Sequence, residues 1–197
     1  MRPFVAKDIT MDLKFVSRGG IKLQAALDNF QIEVKDKIVL DVGSSTGGFV
    51  DCLLQNSAQK VYALDTAYGE LAWKLRNDPR VIVIERTNIL HLKSLPGSDP
   101  MVDLITIDAG WTRLELILPI VKNFLKPDGK IIALLKPHYQ ADKKILKKGV
   151  VPENLVEGIK NEVSKKIRGL GFKIEKEMES PILGGAGNKE FLLLISP

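Results

Sequence analysis

Four charged side chains stand where predicted elements would bring them to one edge of a sheet. Asp108 and Lys136 each follow a short apolar run, and a charged group at the end of a buried strand needs a partner or a function. Glu190 opens the last apolar run, and Lys22 lies in an amphipathic stretch near the amino terminus. Burial and neighbouring positive charge lower the pKa of a lysine, which can then accept a proton from a hydroxyl near neutral pH. A structural ion-pair network could use the same four residues.

A glycine-rich stretch is the second group of candidate functional residues. Its sequence is I-V-L-D-V-G-S-S-T-G-G-F, at residues 38–49. An apolar run, a turn of small residues and a helical pattern predict a strand, a tight loop and a helix. Glycines let the backbone approach a ligand, and the helix would offer N–H groups and the positive end of its dipole. The candidate ligand-binding residues here are Asp41, Gly43, Ser44, Ser45, Thr46, Gly47, Gly48 and Phe49.

This stretch departs from the dinucleotide fingerprint G-x-G-x-x-G at one position. The register gives Gly43, Ser45 and Gly48, so the middle glycine, which lets a pyrophosphate lie against the backbone, is missing. We therefore expect a nucleoside ligand without a pyrophosphate. S-adenosylmethionine fits, because its ammonium group could pair with Asp41. A glycine-rich turn that binds nothing is the alternative.

Three later residues could complete a nucleoside site. Asp65 follows the apolar run 61–64, in the position where nucleoside-binding α/β folds hold a ribose diol. Thr87 and Asn88 follow the next apolar run, where a hydroxyl or an amide could meet the edge of an adenine. Asn88 could equally cap a loop.

The order of the runs predicts an α/β fold of the Rossmann-like, S-adenosylmethionine-dependent methyltransferase type. Strands alternate with helices, which implies a mostly parallel seven-stranded sheet with helices on both faces. The last two strands are separated by a glycine-rich turn and should pair as a hairpin, which makes one strand antiparallel. The helices are expected at 21–30, 48–54, 69–76, 113–125 and 153–170, and the strands at 38–41, 61–64, 81–84, 102–107, 131–135, 172–179 and 190–195.

Length and composition favour one domain. The chain has 197 residues, of which 45% are hydrophobic, enough for a sizeable core. We expect residues 1–14 to be a tail or linker stub and residues 15–197 to be the catalytic domain. No apolar run approaches the roughly 20 residues of a membrane span, and the start lacks a signal-peptide core. The single cysteine, Cys52, cannot form an internal disulfide, so we expect a buried thiol and a cytoplasmic protein.

The positive charge is clustered. A net charge of +5 suggests an anionic partner only weakly. One basic run lies in a predicted loop over 138–152 and a second lies on the last predicted helix. A solvated face is the alternative for each run. We expect the first run to contact RNA phosphates; it consists of Lys143, Lys144, Lys147 and Lys148, and the second consists of Lys165, Lys166 and Arg168.

The order Lys22, Asp108, Lys136, Glu190 resembles the K-D-K-E tetrad of the FtsJ-like RNA ribose 2′-O-methyltransferases. Longer stretches resemble the TlyA (hemolysin A) branch of that family, over about residues 15–195. Among them are V-S-R-G-G-I-K-L at 16–23, L-D-V-G-S-S-T-G-G-F-V-D-C-L-L at 40–54 and S-P-I-L-G-G-A-G-N-K-E-F-L-L at 180–193. The resemblance implies S-adenosylmethionine as methyl donor and ribosomal RNA as acceptor. We expect no metal site. The resemblance also implies that Lys136 is the general base, that Asp108 holds Lys136 and lies beside the donor, and that Lys22 and Glu190 orient the acceptor.

The chain departs from this branch in two places. Members usually carry an N-terminal RNA-binding domain of the kind found in ribosomal protein small-subunit four, whereas only residues 1–14 precede the match, so we expect that domain to be lacking. After Asp108 the branch usually has a V-S-F-like stretch, and this chain has A-G-W-T-R at 109–113. The acceptor therefore stays open. The hemolysin name implies a membrane activity that the sequence does not support. A catalytically weak RNA-binding protein and a small-molecule methyltransferase are the alternatives.

Overall fold

The computed structural model describes residues 14–97, 101–110 and 112–197, without the side chain of Lys143. The predicted tail therefore lies outside the described residues except for Lys14. The helices are α1 (Gly19–Phe30), α2 (Gly48–Gln55), α3 (Trp73–Arg76), α4 (Leu114–Val121), α5 (Pro137–Gln140) and α6 (Glu153–Gly169). The strands are β1 (Ile38–Val42), β2 (Lys60–Leu64), β3 (Val81–Ile84), β4 (Val102–Ile107), β5 (Leu125–Leu135), β6 (Lys173–Glu179) and β7 (Phe191–Ser196).

The seven strands form one sheet in the order β3-β2-β1-β4-β5-β7-β6. The pairings among β1 to β5 are parallel, and β7 runs antiparallel to both β5 and β6. The predicted sheet, with its single antiparallel strand, is confirmed. The direction of winding reverses between β1 and β4, and ligands of open α/β sheets bind outside the carboxyl ends of the strands at such a point.

Apolar cores lie on both faces of the sheet. On one face the sheet packs against α1 and α2, with Leu23 and Leu53 fully buried. On the other face it packs against α4 and α6, with Ile117 and Ile167 fully buried. Successive side chains of a strand point to opposite faces, so each central strand supplies both cores.

The helix expected over 69–76 begins only at Trp73. Gly69 has a φ of +77°, which is outside the helical region. Ala72, just before the helix, is extended with a ψ of 136°. The amphipathic spacing therefore predicted only the last turn of this helix correctly. A spacing pattern does not show that a glycine will adopt a left-handed backbone conformation.

The predicted boundary between α4 and β5 was also wrong. The helix expected to reach residue 125 ends at Val121, and a short 3-10 turn leads directly into β5. Val102 pairs with Leu125, whereas Leu104 pairs with Lys130, so residues 126–129 are accommodated as an irregularity in the strand. The Pro and Gly in that stretch mark a bulge rather than a separate turn.

The predicted loop over 138–152 contains regular structure. Helix α5 opens it, with Pro137 at the first helical positions, where the missing N–H is not needed. A 3-10 turn at Lys143–Ile145 and an isolated bridge between Lys147 and Val150 follow. The basic run is therefore presented by an ordered segment.

Candidate active site

The loop after β1 depends on glycine at two positions. Gly43 has a φ of +87°, and a Cβ there would lie 2.8 Å from the carbonyl oxygen of Asp108. Gly47 has a φ of +99°, and a Cβ there would lie 2.3 Å from Cδ1 of Leu75. Any side chain would force the loop away from β4 or from α3. The glycines thus bring the ends of β1 and β4 together.

A third glycine lets α1 reach the same edge of the sheet. A Cβ on Gly48 would lie 2.9 Å from the backbone nitrogen of Gly20 and 2.2 Å from Oγ of Ser17. The start of α1 therefore packs directly on the start of α2. This contact places Lys22, on the first turn of α1, over the end of the sheet.

A cavity of about 570 Å³ lies at the ends of β1, β2 and β4. Asp65, at the end of β2, accepts hydrogen bonds from the backbone N–H groups of Ser45 (2.7 Å) and Ala67 (2.8 Å). A carboxylate has about four lone-pair positions, so Asp65 can still accept from two hydroxyls. The predicted position of this acid on the cavity wall agrees with the structure.

The far wall of this cavity combines apolar side chains with one amide. Ile89, Ile117 and Ala109 line it together with Asn88. The Asn88 side chain accepts a hydrogen bond from the backbone N–H of Leu90 at 3.0 Å, so it caps the following 3-10 turn, as its alternative interpretation predicted.

Thr87, the other predicted adenine contact, is not on the wall of this cavity. Its hydroxyl donates to the carbonyl of Glu85 at 2.9 Å. The structure therefore leaves Asn88, and not Thr87, beside the space where a base would lie.

Asp41 lies beneath the loop and not on the cavity wall. Its side chain is fully buried; Oδ1 accepts from the Thr106 hydroxyl at 2.5 Å, and Oδ2 has no hydrogen-bond partner among the described residues. Burial raises the pKa of Asp41 to about 7; the Thr106 hydrogen bond opposes this shift, and the charges of Asp108 and Asp65 add to it. The predicted direct pairing of Asp41 with a ligand ammonium is therefore not provided by this arrangement. Thr106 had not been selected, although it stands two residues before Asp108 on the same strand.

Four side chains of the predicted tetrad form two ion pairs. Lys136 Nζ lies 2.5 Å from Asp108 Oδ1 and 3.4 Å from the Asp108 carbonyl oxygen. Lys22 forms an ion pair with Glu190, and the two residues are only 8% and 2% exposed. Lys22 is a charged residue in an amphipathic stretch, yet its ammonium is buried because Glu190 neutralises it.

Three of these four residues line the two cavities. Asp108 lines the 570 Å³ cavity together with Lys136, and it also lines an adjoining cavity of about 240 Å³ together with Lys22. Residues of the glycine-rich stretch line the smaller cavity as well, namely Gly43, Ser44, Ser45, Thr46, Gly48 and Phe49. Gly47 instead packs against α3.

The polar and apolar groups that line the larger cavity match the parts of S-adenosylmethionine. Asp65 offers acceptors for a ribose diol, and Ile89 and Ile117 offer an apolar slot for a base beside Asn88. Gly43 leaves the passage between this slot and Asp108 open, because a side chain there would clash. The residues present fit this donor.

His138 and Tyr139 were missed from the sequence. His138 is half-buried, and burial lowers its pKa, as do the positive charges of Lys136 and Lys22. The Tyr139 ring centroid lies 5.7 Å from Lys136 Nζ, and the two rings are 4.2 Å apart between centroids. Their place directly after Lys136-Pro137 was the available signal.

The two basic runs differ in their surroundings. Lys144, Lys147 and Lys148 are exposed and make no ion pair with the described carboxylates. On α6, Lys166 pairs with Glu162 at 3.0 Å and with Glu115 at 3.5 Å. The charge of the first run is therefore open to a partner, whereas that of the second is partly neutralised.

Other predictions concern the rest of the described chain. Cys52 is fully buried, as expected, and burial raises its pKa to about 12. Within the described ranges, no helix has both the length and the apolar character needed to cross a membrane. In the same ranges, no cluster of three or more His, Cys, Asp or Glu side chains could hold a metal ion. Trp111, in the stretch that departs from the branch, lies outside the described residues.

The sheet topology defines a methyltransferase-type fold, and a Lys-Asp-Lys-Glu cluster lies beside its cleft. The chain belongs to the FtsJ-like methyltransferase family, whose model matches residues 15–196. The predicted resemblance to this family is confirmed.

Relatives of this chain carry names from the predicted branch. It is 45% identical over 190 residues to the candidate rRNA methyltransferase YqxC of Bacillus subtilis, covering 92% of this chain and 65% of that protein. It is 39% identical over 184 residues to the 16S/23S rRNA (cytidine-2′-O)-methyltransferase TlyA of Mycobacterium tuberculosis, covering 91% and 67%. The chain thus spans about two thirds of the length of these relatives.

Solved structures agree with the fold. A crystal structure of a candidate hemolysin from Lactococcus lactis is 41% identical, with a TM-score of 0.88, and the alignment covers 93% of this chain and 88% of that one. An S-adenosylmethionine-dependent methyltransferase from Aquifex aeolicus aligns with a TM-score of 0.62 at 20% identity, covering 91% and 93%. The second comparison supports the fold alone, which is the predicted class.

Proposed function

We propose that this protein transfers a methyl group from S-adenosylmethionine to a ribose 2′-hydroxyl of ribosomal RNA. The observation that carries the proposal is the position of Asp108, which lines both cavities and pairs with Lys136, a residue of the larger cavity. A donor in the larger cavity and a hydroxyl near Lys136 would meet at this wall. S-adenosylmethionine supplies a methyl group already activated on a sulfonium, so the chain mainly has to align the two reactants.

The larger cavity is the proposed donor site. Asp65 accepts hydrogen bonds from the ribose hydroxyls, and Asn88 and Ile89 flank the base. Gly43 keeps the passage to Asp108 open, and the Asp108 carboxylate stabilises positive charge there. Asp41 supports the loop from beneath.

Lys136 is the proposed general base. In its neutral form Nζ accepts the proton of the 2′-hydroxyl while the hydroxyl oxygen attacks the methyl group. Asp108 holds Nζ in place beside the larger cavity. Lys22, held by its ion pair with Glu190, is proposed to orient the acceptor ribose, because it lines the same small cavity as Asp108.

Ribosomal RNA is the proposed acceptor because of the family, the relatives and the open basic run. One relative is described as acting on cytidine in 16S and 23S ribosomal RNA, so cytidine 2′-hydroxyls are the first acceptors to test. Lys144, Lys147 and Lys148 would contact the phosphates, as would Lys143. A protein with this reaction and this partner would work in the cytoplasm, beside the ribosome.

The test identifies the product. The protein is incubated with methyl-labelled donor and with ribosomal subunits, isolated ribosomal RNA or a panel of small molecules, and the products are digested to nucleosides for mass spectrometry. We expect label in a 2′-O-methylated nucleoside, with Lys165→Ala as a fully active surface control. Label on a base or on a small molecule would contradict the proposal. Donor and RNA binding without transfer would favour the alternative of an RNA-binding protein.

A further inference from the structure

A short hairpin carries part of the basic run. The backbone N–H of Lys147 donates to the carbonyl of Val150 at 2.9 Å, and the N–H of Val150 donates back at 3.0 Å. Between them Lys148 and Gly149 have φ values of +52° and +81°, the left-handed pair typical of a type I′ turn. We call residues 147–150 the basic hairpin, and it presents the exposed side chains of Lys147 and Lys148.

One buried side chain fastens this hairpin to the turn before β7. Asn188 is 2% exposed; its Oδ1 accepts from the N–H of Val151 at 3.0 Å, and its Nδ2 donates to the carbonyl of Gly149 at 3.0 Å. The same Nδ2 donates to the carbonyl of Gly185, also at 3.0 Å. An amide whose donors and acceptor are all used in a buried place fixes the relative position of the segments that it joins.

The turn on the other side of Asn188 holds the Glu190 carboxylate. The N–H of Gly184 donates to the carbonyl of Asn188 at 2.8 Å, which closes the turn. A Cβ on Gly184 would lie 1.9 Å from Oε1 of Glu190, so the backbone of this turn rests against the carboxylate. That carboxylate pairs with Lys22. A continuous chain of contacts thus runs from the basic hairpin to one of the two ion pairs of the active site.

We propose that Asn188 is a positioning residue that couples phosphate contact at the basic hairpin to the placement of the Glu190–Lys22 pair. The inference rests on the proposed RNA methylation and adds a consequence to it. RNA that engages the hairpin would restrain the turn through Asn188, so the hairpin lysines contribute to the rate of methyl transfer and not only to affinity. Without Asn188, the same lysines would contribute to affinity alone.

A double-mutant cycle tests this coupling. Single-turnover methylation of ribosomal RNA is measured at saturating donor over a range of RNA concentrations for the wild type, Lys147→Ala/Lys148→Ala, Asn188→Ala and the combined variant. We expect the hairpin substitutions to lower the maximal rate about fivefold in the wild-type background and less than about twofold in the Asn188→Ala background, within the range of coupling between linked residues. The half-saturating RNA concentration should rise in both backgrounds. Lys165→Ala, an exposed lysine on α6, should change neither quantity.

Thermal unfolding and donor affinity show whether each variant is folded. If Asn188→Ala is unstable, Asn188→Asp replaces it, because it keeps an acceptor for Val151 and removes both donors. Equal losses of maximal rate in the two backgrounds, or no loss in the wild-type background, would overturn the coupling while leaving the proposed function intact. Absence of methyl transfer by the wild type would instead overturn the proposed function, and the coupling with it.

Discussion

The proposed donor half and the proposed acceptor half of the cleft are built in different ways. The donor half consists of the loop after β1 and the end of β2. Its key contact is the hydrogen bond that the Ser45 backbone N–H donates to the Asp65 carboxylate. The acceptor half consists of side chains from four separate segments, and Lys22 and Glu190 are 168 positions apart. One half is local backbone geometry and the other is long-range side-chain pairing.

This difference predicts different responses to substitution. The donor half is part of the fold, because Gly43 and Gly47 fill positions that a side chain would distort. In the acceptor half a single substitution leaves the backbone in place and removes a charge from a pair. We therefore expect chemistry to fail without loss of donor binding in the acceptor half, and donor binding or stability to change in the donor half.

The largest effect is expected at Lys136. Lys136→Ala should retain the fold and donor binding but lower single-turnover methylation by about 10²–10⁴-fold, the usual range for loss of a general base. Lys136→Arg should fail similarly, because a guanidinium stays protonated at the working pH. Calorimetry measures donor binding, and rapid-quench assays measure the rate.

Of these two variants, Lys136→Arg distinguishes better between a general base and an electrostatic clamp at position 136. A rate close to that of the wild type would show that position 136 acts as an electrostatic clamp and that the proton leaves by another route. Loss of donor binding in both variants would show that the acceptor half also contributes to donor binding. The two halves of the cleft would then not have the separate roles described above.

The donor half could be predicted from the sequence because one contiguous motif contains it. The run from Asp41 to Phe49 specified a strand, a turn and a helix, and Asp65 followed from the next strand. Asp41 itself was expected to pair with the donor ammonium, but its carboxylate is fully buried. The sequence did not reveal this, because the surroundings of the Asp41 carboxylate depend on the neighbouring strand that supplies its hydrogen-bond partner. That partner is Thr106.

The second prediction concerns this buried Asp41 and its pH dependence. The raised pKa, about 7, means that between about pH 4 and pH 7 the folded state holds the proton more tightly than the unfolded state. The stability that the neutral carboxyl confers is therefore present below about pH 4 and is lost as pH rises to 7, with a slope on the order of 1.4 kcal/mol per unit. Asp41→Asn, which is always neutral, should remove this slope and gain stability relative to the wild type at pH 8.

Chemical denaturation at several pH values measures the difference between the two proteins. Asp103→Asn is the matched control, because a hydrogen bond and ion pair with Lys126 and a hydrogen bond from Ile38 lower the pKa of Asp103 despite some burial. Its contribution is present above the unfolded pKa and is lost as pH falls, so that variant should change the profile in the opposite direction. Parallel profiles for the wild type and Asp41→Asn would contradict the assignment.

The third prediction concerns Asp65 in the donor half. Asp65→Ala should weaken S-adenosylmethionine binding by about 1–3 kcal/mol, the range for loss of a hydrogen bond to a charged group. Asp65→Asn keeps one acceptor and should lose less. Calorimetry at fixed pH measures both affinities, and thermal unfolding shows whether loss of the backbone contacts to Ser45 and Ala67 changes stability. Unchanged affinity in the alanine variant would remove Asp65 from the donor site.

The four residues of the proposed acceptor half were brought together only by the resemblance, because the residues alone left a structural ion-pair network open as an alternative. Burial of Lys22 was not visible from helical spacing, and the contacts of His138 depend on how α5 turns back toward β5. Asn188 lay inside a recognised motif without any assigned role, since two of its three partners, Gly149 and Val151, come from a segment that only the tertiary structure brings beside it.

The smallest single-residue effects are expected in the basic runs, which extend the comparison to the surface. Replacing Lys143, Lys144, Lys147 and Lys148 with Ala should leave donor affinity intact and weaken RNA binding. The slope of log affinity against log salt should decrease by about 0.7–0.9 for each phosphate that the variant no longer neutralises, because fewer counterions are released.

The matched control is Lys165→Ala/Lys166→Ala on α6, where Lys166 already pairs with Glu115 and Glu162. Because those carboxylates neutralise part of its charge, the salt slope of this variant should equal that of the wild type, and its stability should change by no more than roughly 0.5 kcal/mol. Filter binding or fluorescence anisotropy over a range of salt concentrations measures both slopes. An unchanged slope in the quadruple variant would show that the first run is a solvated face, and a decrease for the α6 variant would show that RNA contacts the second basic run.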